Sequence, residues 1–177
     1  DVLTDATADL AWALLLAAAR RVGEGERLVR SGGWTGLVPN QPLGVPVSGT
    51  TLGVIGLGRI GAAVAARGRG FDMDVVYAGP RPSAHAERVG ARHVSLEELL
   101  GTADFVVLTA PLNDTTRHVV DADALAHMKP TAVLVNVGRG PLVDEAALVA
   151  ALRTGRIFAA GLDVYEGDVT AASSAVE

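Results

Sequence analysis

From Thr51 onward, short apolar runs alternate with small, helix-favouring stretches at the spacing of strand–helix–strand units. Leu52–Ile55, Asp74–Tyr77, Phe105–Thr109, Ala132–Asn136 and Phe158–Asp163 predict strands, and their near-continuous apolar character is that of parallel strands covered on both faces. Between them, Ile60–Arg69, Leu96–Leu100, Asp121–Met128 and Asp144–Thr154 predict helices. Ser95 and Glu98 form a capping box for the second of these, and Gly155 ends the last.

The chain before Thr51 has a different pattern. Asp5–Arg21 predicts a helix capped by Thr4, with acids in its first turn and Arg20 and Arg21 in its last, as the helix dipole favours. It is apolar on nearly all sides, which points to deep burial or a subunit contact. Gly23 and Gly25 interrupt it, and residues 31–47, punctuated by Pro39, Pro42 and Pro46, read as a loop or arm. The small polar residues of Thr170–Glu177 predict a frayed tail. The division expected is a single α/β unit over 1–169, with a helix and arm in 1–50, and a tail over 170–177.

Composition narrows this picture. A chain of 177 residues has room for one substantial core and not for a second full domain. With 49% hydrophobic and 20% charged residues it is an ordered globular unit. A net charge of −5 supplies no electrostatic footprint for nucleic acid or an anionic membrane. The absence of cysteine removes disulfides, thiolate metal sites and a cysteine nucleophile, no metal site is predicted, and a cytoplasmic location is expected. Leu10–Ala19 is too short to span a bilayer, and its arginines follow rather than precede it as a secretory signal would need. The chain opens on Asp1 without an initiator methionine, as a fragment would.

Chemistry enters at Leu52-Gly-Val-Ile-Gly-Leu-Gly-Arg-Ile-Gly61, where Gly56, Gly58 and Gly61 stand at G-x-G-x-x-G spacing between a strand and a helix. The first glycine permits the turn, the second lets backbone approach a pyrophosphate, and the third lets the helix pack on the sheet. The helix start near Arg59 then points N–H groups at the phosphates. With the strand alternation this predicts a Rossmann-type doubly wound parallel sheet. Ligands in such sheets lie at the carboxyl ends of strands, so the loops to inspect are Gly56–Gly61, Ala78–Pro82, Ala110–Thr116, Val137–Val143 and Val164–Val169.

At the end of the second strand an NAD site usually carries an acid for the adenine ribose. Here the sequence is Tyr77-Ala-Gly-Pro-Arg-Pro82, without a carboxylate. Arg81 can pair with a 2′-phosphate, so NADP(H) is expected ahead of NAD(H), the alternative being a solvated loop arginine. Further on, Arg139 stands between Gly138 and Gly140, where a guanidinium is unobstructed and can grip a carboxylate in bidentate fashion. On residue type alone, the commoner use of such an arginine is to hold a neighbouring carbonyl or acid.

Several ordered motifs now coincide: Thr4-Asp-Ala-Thr-Ala-Asp-Leu-Ala11, Gly32-Gly-Trp34, Leu52–Gly61, Asn136-Val-Gly-Arg-Gly-Pro-Leu-Val-Asp144 and Gly161-Leu-Asp-Val-Tyr-Glu166. In these the chain resembles the D-isomer-specific 2-hydroxyacid dehydrogenases from about Val2 to Asp168, with glyoxylate/hydroxypyruvate reductases the most similar branch. The resemblance implies hydride transfer between a nicotinamide and a small 2-oxo or 2-hydroxy acid. It assigns the substrate carboxylate to Arg139, the nicotinamide carboxamide to Asp163, and cofactor contacts to Gly56, Leu57, Gly58, Arg59, Ile60, Gly61, Gly79, Pro80, Arg81, Ala110, Pro111, Val137 and Gly138. A homodimer is expected, the apolar helix Asp5–Arg21 offering a dimer surface.

Two departures stand out. Asp168 occupies the position of the glutamate that pairs with the family's acid–base histidine, and it is shorter by one methylene, about 1.5 Å. A misplacement of about 1 Å at a reacting centre costs on the order of 100-fold. The histidine itself, in a Pro-His-x-Gly context, has no counterpart; His85, His93, His118 and His127 all precede Arg139, on predicted loops or helices. The expectation is a coenzyme-binding domain lacking most of a substrate domain, binding dinucleotide with little turnover alone. The competing reading is a nucleotide-sensing interaction module of the corepressor type, favoured by the missing acid–base pair and opposed by Arg139.

Overall fold

The computed structural model describes residues 2–36 and 43–167. Its centre is a six-stranded sheet, all parallel, in the order β3-β2-β1-β4-β5-β6. The strands are β1 (Thr51–Ile55), β2 (Asp74–Ala78), β3 (Arg92–His93), β4 (Phe105–Leu108), β5 (Val133–Asn136) and β6 (Ala159–Leu162). The helices are α1 (Thr4–Ala19), α2 (Val22–Arg30), α3 (Arg59–Gly68), α4 (Ala86–Val89), α5 (Leu96–Thr102), α6 (Ala122–His127) and α7 (Glu145–Arg153). The fold is the doubly wound Rossmann type expected, with the order reversing between β1 and β4.

The apolar strands serve two cores because alternate residues face opposite sides of a sheet. Phe105 and Val107 of β4 join Leu52, Val54, Tyr77, Val133 and Val135 against α1 and α3. Val106 and Leu108 join Leu134 against Leu99, Leu125 and Leu148 of α5, α6 and α7. This is why the strand sequences show no polar alternation.

The predicted Ser95 cap is present, its side chain accepting from the Glu98 N–H at 3.1 Å. The reciprocal half of the box is diverted, because the Glu98 carboxylate pairs with Arg92 at 2.7 Å. Gly155, at φ +65°, follows α7 as expected.

The first helix departs from expectation. Thr4 lies inside α1, whose cap position is Leu3 with no side-chain cap hydrogen bond. The helix ends at Ala19, and Arg21 takes a left-handed φ of 55° with its guanidinium on Glu24. Gly23 and Gly25 do not end the helical region but sit within α2, where the Arg21–Glu24 pair (i,i+3) and the Glu26–Arg30 pair (i,i+4) offset glycine's low propensity. The short β3, absent from the predicted strands, forms where Arg92 and His93 pair beside Val76 and Tyr77.

Burial of α1 is as deep as its composition implied. Ala8, Ala11, Trp12, Leu15 and Ala19 are buried. Trp12 stacks on Phe71 at 4.8 Å and its indole N–H donates to the Val64 carbonyl at 3.0 Å. Arg67 of α3 reaches Asp5 and Asp9 at 3.2 and 2.8 Å. Burial would lower its pKa, but the hydrogen bonds and charges of the two carboxylates outweigh it and hold the guanidinium above its ordinary range.

Candidate functional site

The glycine-rich turn lies at the carboxyl ends of β1 and β4, which stay paired to Ile55 and Leu108. Gly56 has φ +94°, a value L side chains rarely adopt, and its N–H donates to the Ala78 carbonyl at 2.9 Å. Its own carbonyl accepts from Thr109 Oγ1 at 2.7 Å. Gly61 is tight against this arrangement, since a Cβ there would stand 2.5 Å from Gly56 O. Gly58 is the opposite case: it caps α3 in extended conformation, and a Cβ there would meet nothing within 4 Å. The turn is thus closed below by Gly61 and open above Gly58, the cradle that a pyrophosphate needs.

On one side of the turn, a groove of about 790 Å³ is lined by Gly56, Gly79, Pro80, His93, Ala110 and Pro111 among others. On the other, Gly58, Arg59 and Ile60 share a depression of about 550 Å³ with Thr109 and residues 2–4. Leu57 faces inward and is buried, so its contribution to a ligand is through the backbone. Its carbonyl accepts from Ser83 Oγ at 2.5 Å. Arg81, in the Gly79–Pro82 turn, is exposed.

The third loop leaves β5 at Asn136, the one buried polar side chain among the described residues. Asn136 Oδ1 accepts from the Gly138 N–H at 3.1 Å, and Nδ2 donates to the Arg139 carbonyl at 2.9 Å. Val137 and Gly138 are buried as well. Arg139 is exposed, with Nη1 donating to the Gly138 carbonyl at 2.7 Å. Asp163 is exposed just past β6, and its N–H donates to the Asn136 carbonyl at 3.0 Å. One asparagine therefore ties the Arg139 loop to the Asp163 loop. Asp168 and Val169 lie outside the described residues, as do Pro39, Pro42 and the 170–177 tail.

Sequence reading missed the structure that surrounds Arg139. A Cβ on Gly140 would fall 1.8 Å from the Tyr165 carbonyl oxygen, so the chain after β6 crosses directly over this glycine. The crossing is fastened at Glu166, whose N–H donates to Glu145 Oε1 and whose carboxylate accepts from His118 Nε2 at 2.8 Å. His118 itself adopts φ +51° and its N–H donates to the Pro141 carbonyl at 2.8 Å. So His118 is held by Glu166, and His93 lies on a strand rather than a loop or helix. Thr109 and Asn136 could have been found as polar residues ending apolar strands; the left-handed His118 carries no sequence signal.

Among the described residues, no group of three or more His, Asp or Glu could hold a metal ion, and no helix is long and apolar enough to cross a membrane.

Residues 12–176 match the profile of the D-isomer specific 2-hydroxyacid dehydrogenase, NAD binding domain. A glyoxylate reductase of Thermococcus onnurineus is 50% identical over 171 residues, covering 94% of this chain and 51% of that protein. The TT0316 protein of Thermus thermophilus superposes with a TM-score of 0.89 at 48% identity, over 95% of this chain and 52% of the other. An acyclic imino acid reductase solved with NADPH and D-Arg superposes with a TM-score of 0.82 at 33% identity, over 92% and 52%. The chain spans about half the length of these relatives.

Proposed function

The chain belongs to the D-isomer specific 2-hydroxyacid dehydrogenases, matching their NAD binding domain, and we propose that it is the coenzyme-binding half of an NADP(H)-preferring reductase of small 2-oxo acids, of the glyoxylate or hydroxypyruvate class. The observation that carries this reading is the joining of three loops at one end of the sheet. The Gly56–Gly61 turn offers an open backbone cradle, and Asn136 links the Arg139 loop to Asp163 by hydrogen bonds. A nicotinamide dinucleotide, when bound, supplies the hydride.

The chain's own residues bind and orient. The first turn of α3 directs N–H groups and its dipole at the phosphates. Asp163 accepts from the carboxamide and so fixes which face of the ring meets substrate. Arg139, flanked by Gly138 and Gly140, leaves the Gly138 carbonyl to form paired hydrogen bonds with the substrate carboxylate, and its charge polarises the adjacent carbonyl. Arg81, where no acid stands, pairs with the 2′-phosphate; the NADPH complex of the imino acid reductase supports that choice. Asp168 would act only by orienting a proton donor. No Pro-His-x-Gly occurs in these 177 residues, so they bind dinucleotide and turn over 2-oxo acids slowly by themselves. Arg139 favours this enzymatic reading over a nucleotide-sensing module, which needs no carboxylate anchor. The reading includes a cytoplasmic homodimer.

The test is titration of the chain with NADPH and NADH, followed by quenching of nucleotide fluorescence with oxamate as a 2-oxo acid mimic. The expected result is tighter NADPH binding that Arg81→Ala abolishes, and an oxamate effect that Arg139→Ala removes. Tighter NADH binding unaffected by Arg81→Ala defeats the cofactor assignment, and an oxamate response that survives Arg139→Ala defeats the substrate one.

A further inference from the structure

The Gly79–Pro82 turn is held at both of its ends by residues that sequence motifs do not mark. At its start, His93 on the edge strand β3 donates from Nε2 to the Gly79 carbonyl at 3.0 Å; a carbonyl oxygen only accepts, so this nitrogen carries the proton. The same imidazole stacks on Tyr77, with ring centroids 4.8 Å apart and planes at 25°. Just past its end, the Ser83 N–H donates to Tyr77 Oη at 3.0 Å, and Ser83 Oγ donates to the Leu57 carbonyl in the glycine-rich turn. Tyr77 is 2% exposed, so it forms a rigid post that touches both fastenings. His93, Gly79 and Pro80 all line the 790 Å³ groove.

We propose that His93 is a positioning residue for cofactor selection: by holding Gly79 and stacking on Tyr77, it sets the turn in the conformation from which Arg81 reads a 2′-phosphate. The proposal rests on the reading of Arg81 given above. An arginine has rotamer freedom to lose when it pairs with phosphate, and a turn fixed at both ends spares the further loss from ordering the backbone. His93 lines the groove itself, so a direct contact with the part common to both cofactors would weaken NADPH and NADH alike, whereas an effect through the Arg81 turn is confined to the ligand that carries the 2′-phosphate.

The experiment measures dissociation constants of the 177-residue chain for NADPH and NADH, in the wild type and in His93→Phe, His93→Gln and Arg81→Ala, each first shown by its melting curve to be folded at the assay temperature. His93→Phe keeps the stack on Tyr77 and removes the donor; His93→Gln restores a donor at the reach of Nε2. A neutral hydrogen bond corresponds to about 2–12-fold in affinity. Expected is a loss in NADPH affinity of about 5-fold in His93→Phe, with NADH changed less than about 2-fold and His93→Gln returning toward wild type. Equal losses for the two cofactors, no loss in His93→Phe, or no recovery in His93→Gln would overturn it. If Arg81→Ala leaves the NADPH preference intact, the parent reading fails and this one with it. If Arg81→Ala abolishes the preference while His93→Phe leaves it untouched, only the role of His93 fails.

Discussion

Two glycines of one motif separate at the level of single residues. Gly58 has open space where a side chain would grow, whereas Gly61 has the Gly56 carbonyl and Thr109 there. Gly58→Ala is therefore expected to leave stability within about 0.5 kcal/mol of wild type while weakening dinucleotide binding by about 10-fold or more. Gly61→Ala is expected to lower stability by about 1–3 kcal/mol, the range for overpacking. Chemical denaturation and NADPH titration of both variants check this, and similar stability losses would contradict it. The motif spacing made both glycines legible, because a regular expression records which residues must be small. It does not record whether a neighbour or a ligand demands the smallness. Nor could spacing reveal Asn136 as the link between Arg139 and Asp163, since that depends on β5 and β6 being adjacent in space.

Apart from the short α4 and β3, which were not predicted, strands and helices after Thr51 were legible to within a residue or two, because unbroken apolar runs and glycine turns are local signals. The amino-terminal region was less so: charge pairing along α2 overrides two glycines, and the left-handed Arg21 leaves no pattern. The seat of α1 provides a contrast of magnitudes. Trp12→Ala removes a buried ring with its stack and hydrogen bond, an expected cost of about 3–5 kcal/mol. Arg67→Ala breaks the pairs with the exposed carboxylates of Asp5 and Asp9 and a hydrogen bond to the Ala63 carbonyl of its own helix, and screening by solvent limits the ion pairs to about 1 kcal/mol. Urea unfolding of the two variants tests the ranking, which a larger loss in Arg67→Ala would reverse. The crossing over Gly140 yields a further prediction. Gly140→Ala must displace Tyr165 and Glu166, so amide exchange at 164–167 is expected to rise. Unchanged exchange would show that the crossing yields without opening.

For the molecule as a whole, six parallel strands with a core on each face make a unit whose ligand loops all lie at one end. Binding at those loops favours the native state over the unfolded one, so NADPH at about 100 times its dissociation constant is expected to add about 2.7 kcal/mol of stability. A melting temperature insensitive to NADPH would contradict a preformed site. The family of the chain was legible from ordered motifs, whereas its cofactor preference hangs on the single turn after β2. The placement of α1 has a further consequence, in time rather than in space. This helix precedes all six strands in the sequence, yet its Leu14 packs on Gly161 of β6, the strand farthest from it along the chain. During synthesis its apolar face must wait, without its seat, until β6 has left the ribosome. Long-range closures of this kind slow folding and expose sticky surface meanwhile, so α1 is where a chaperone would find its handle on the nascent chain.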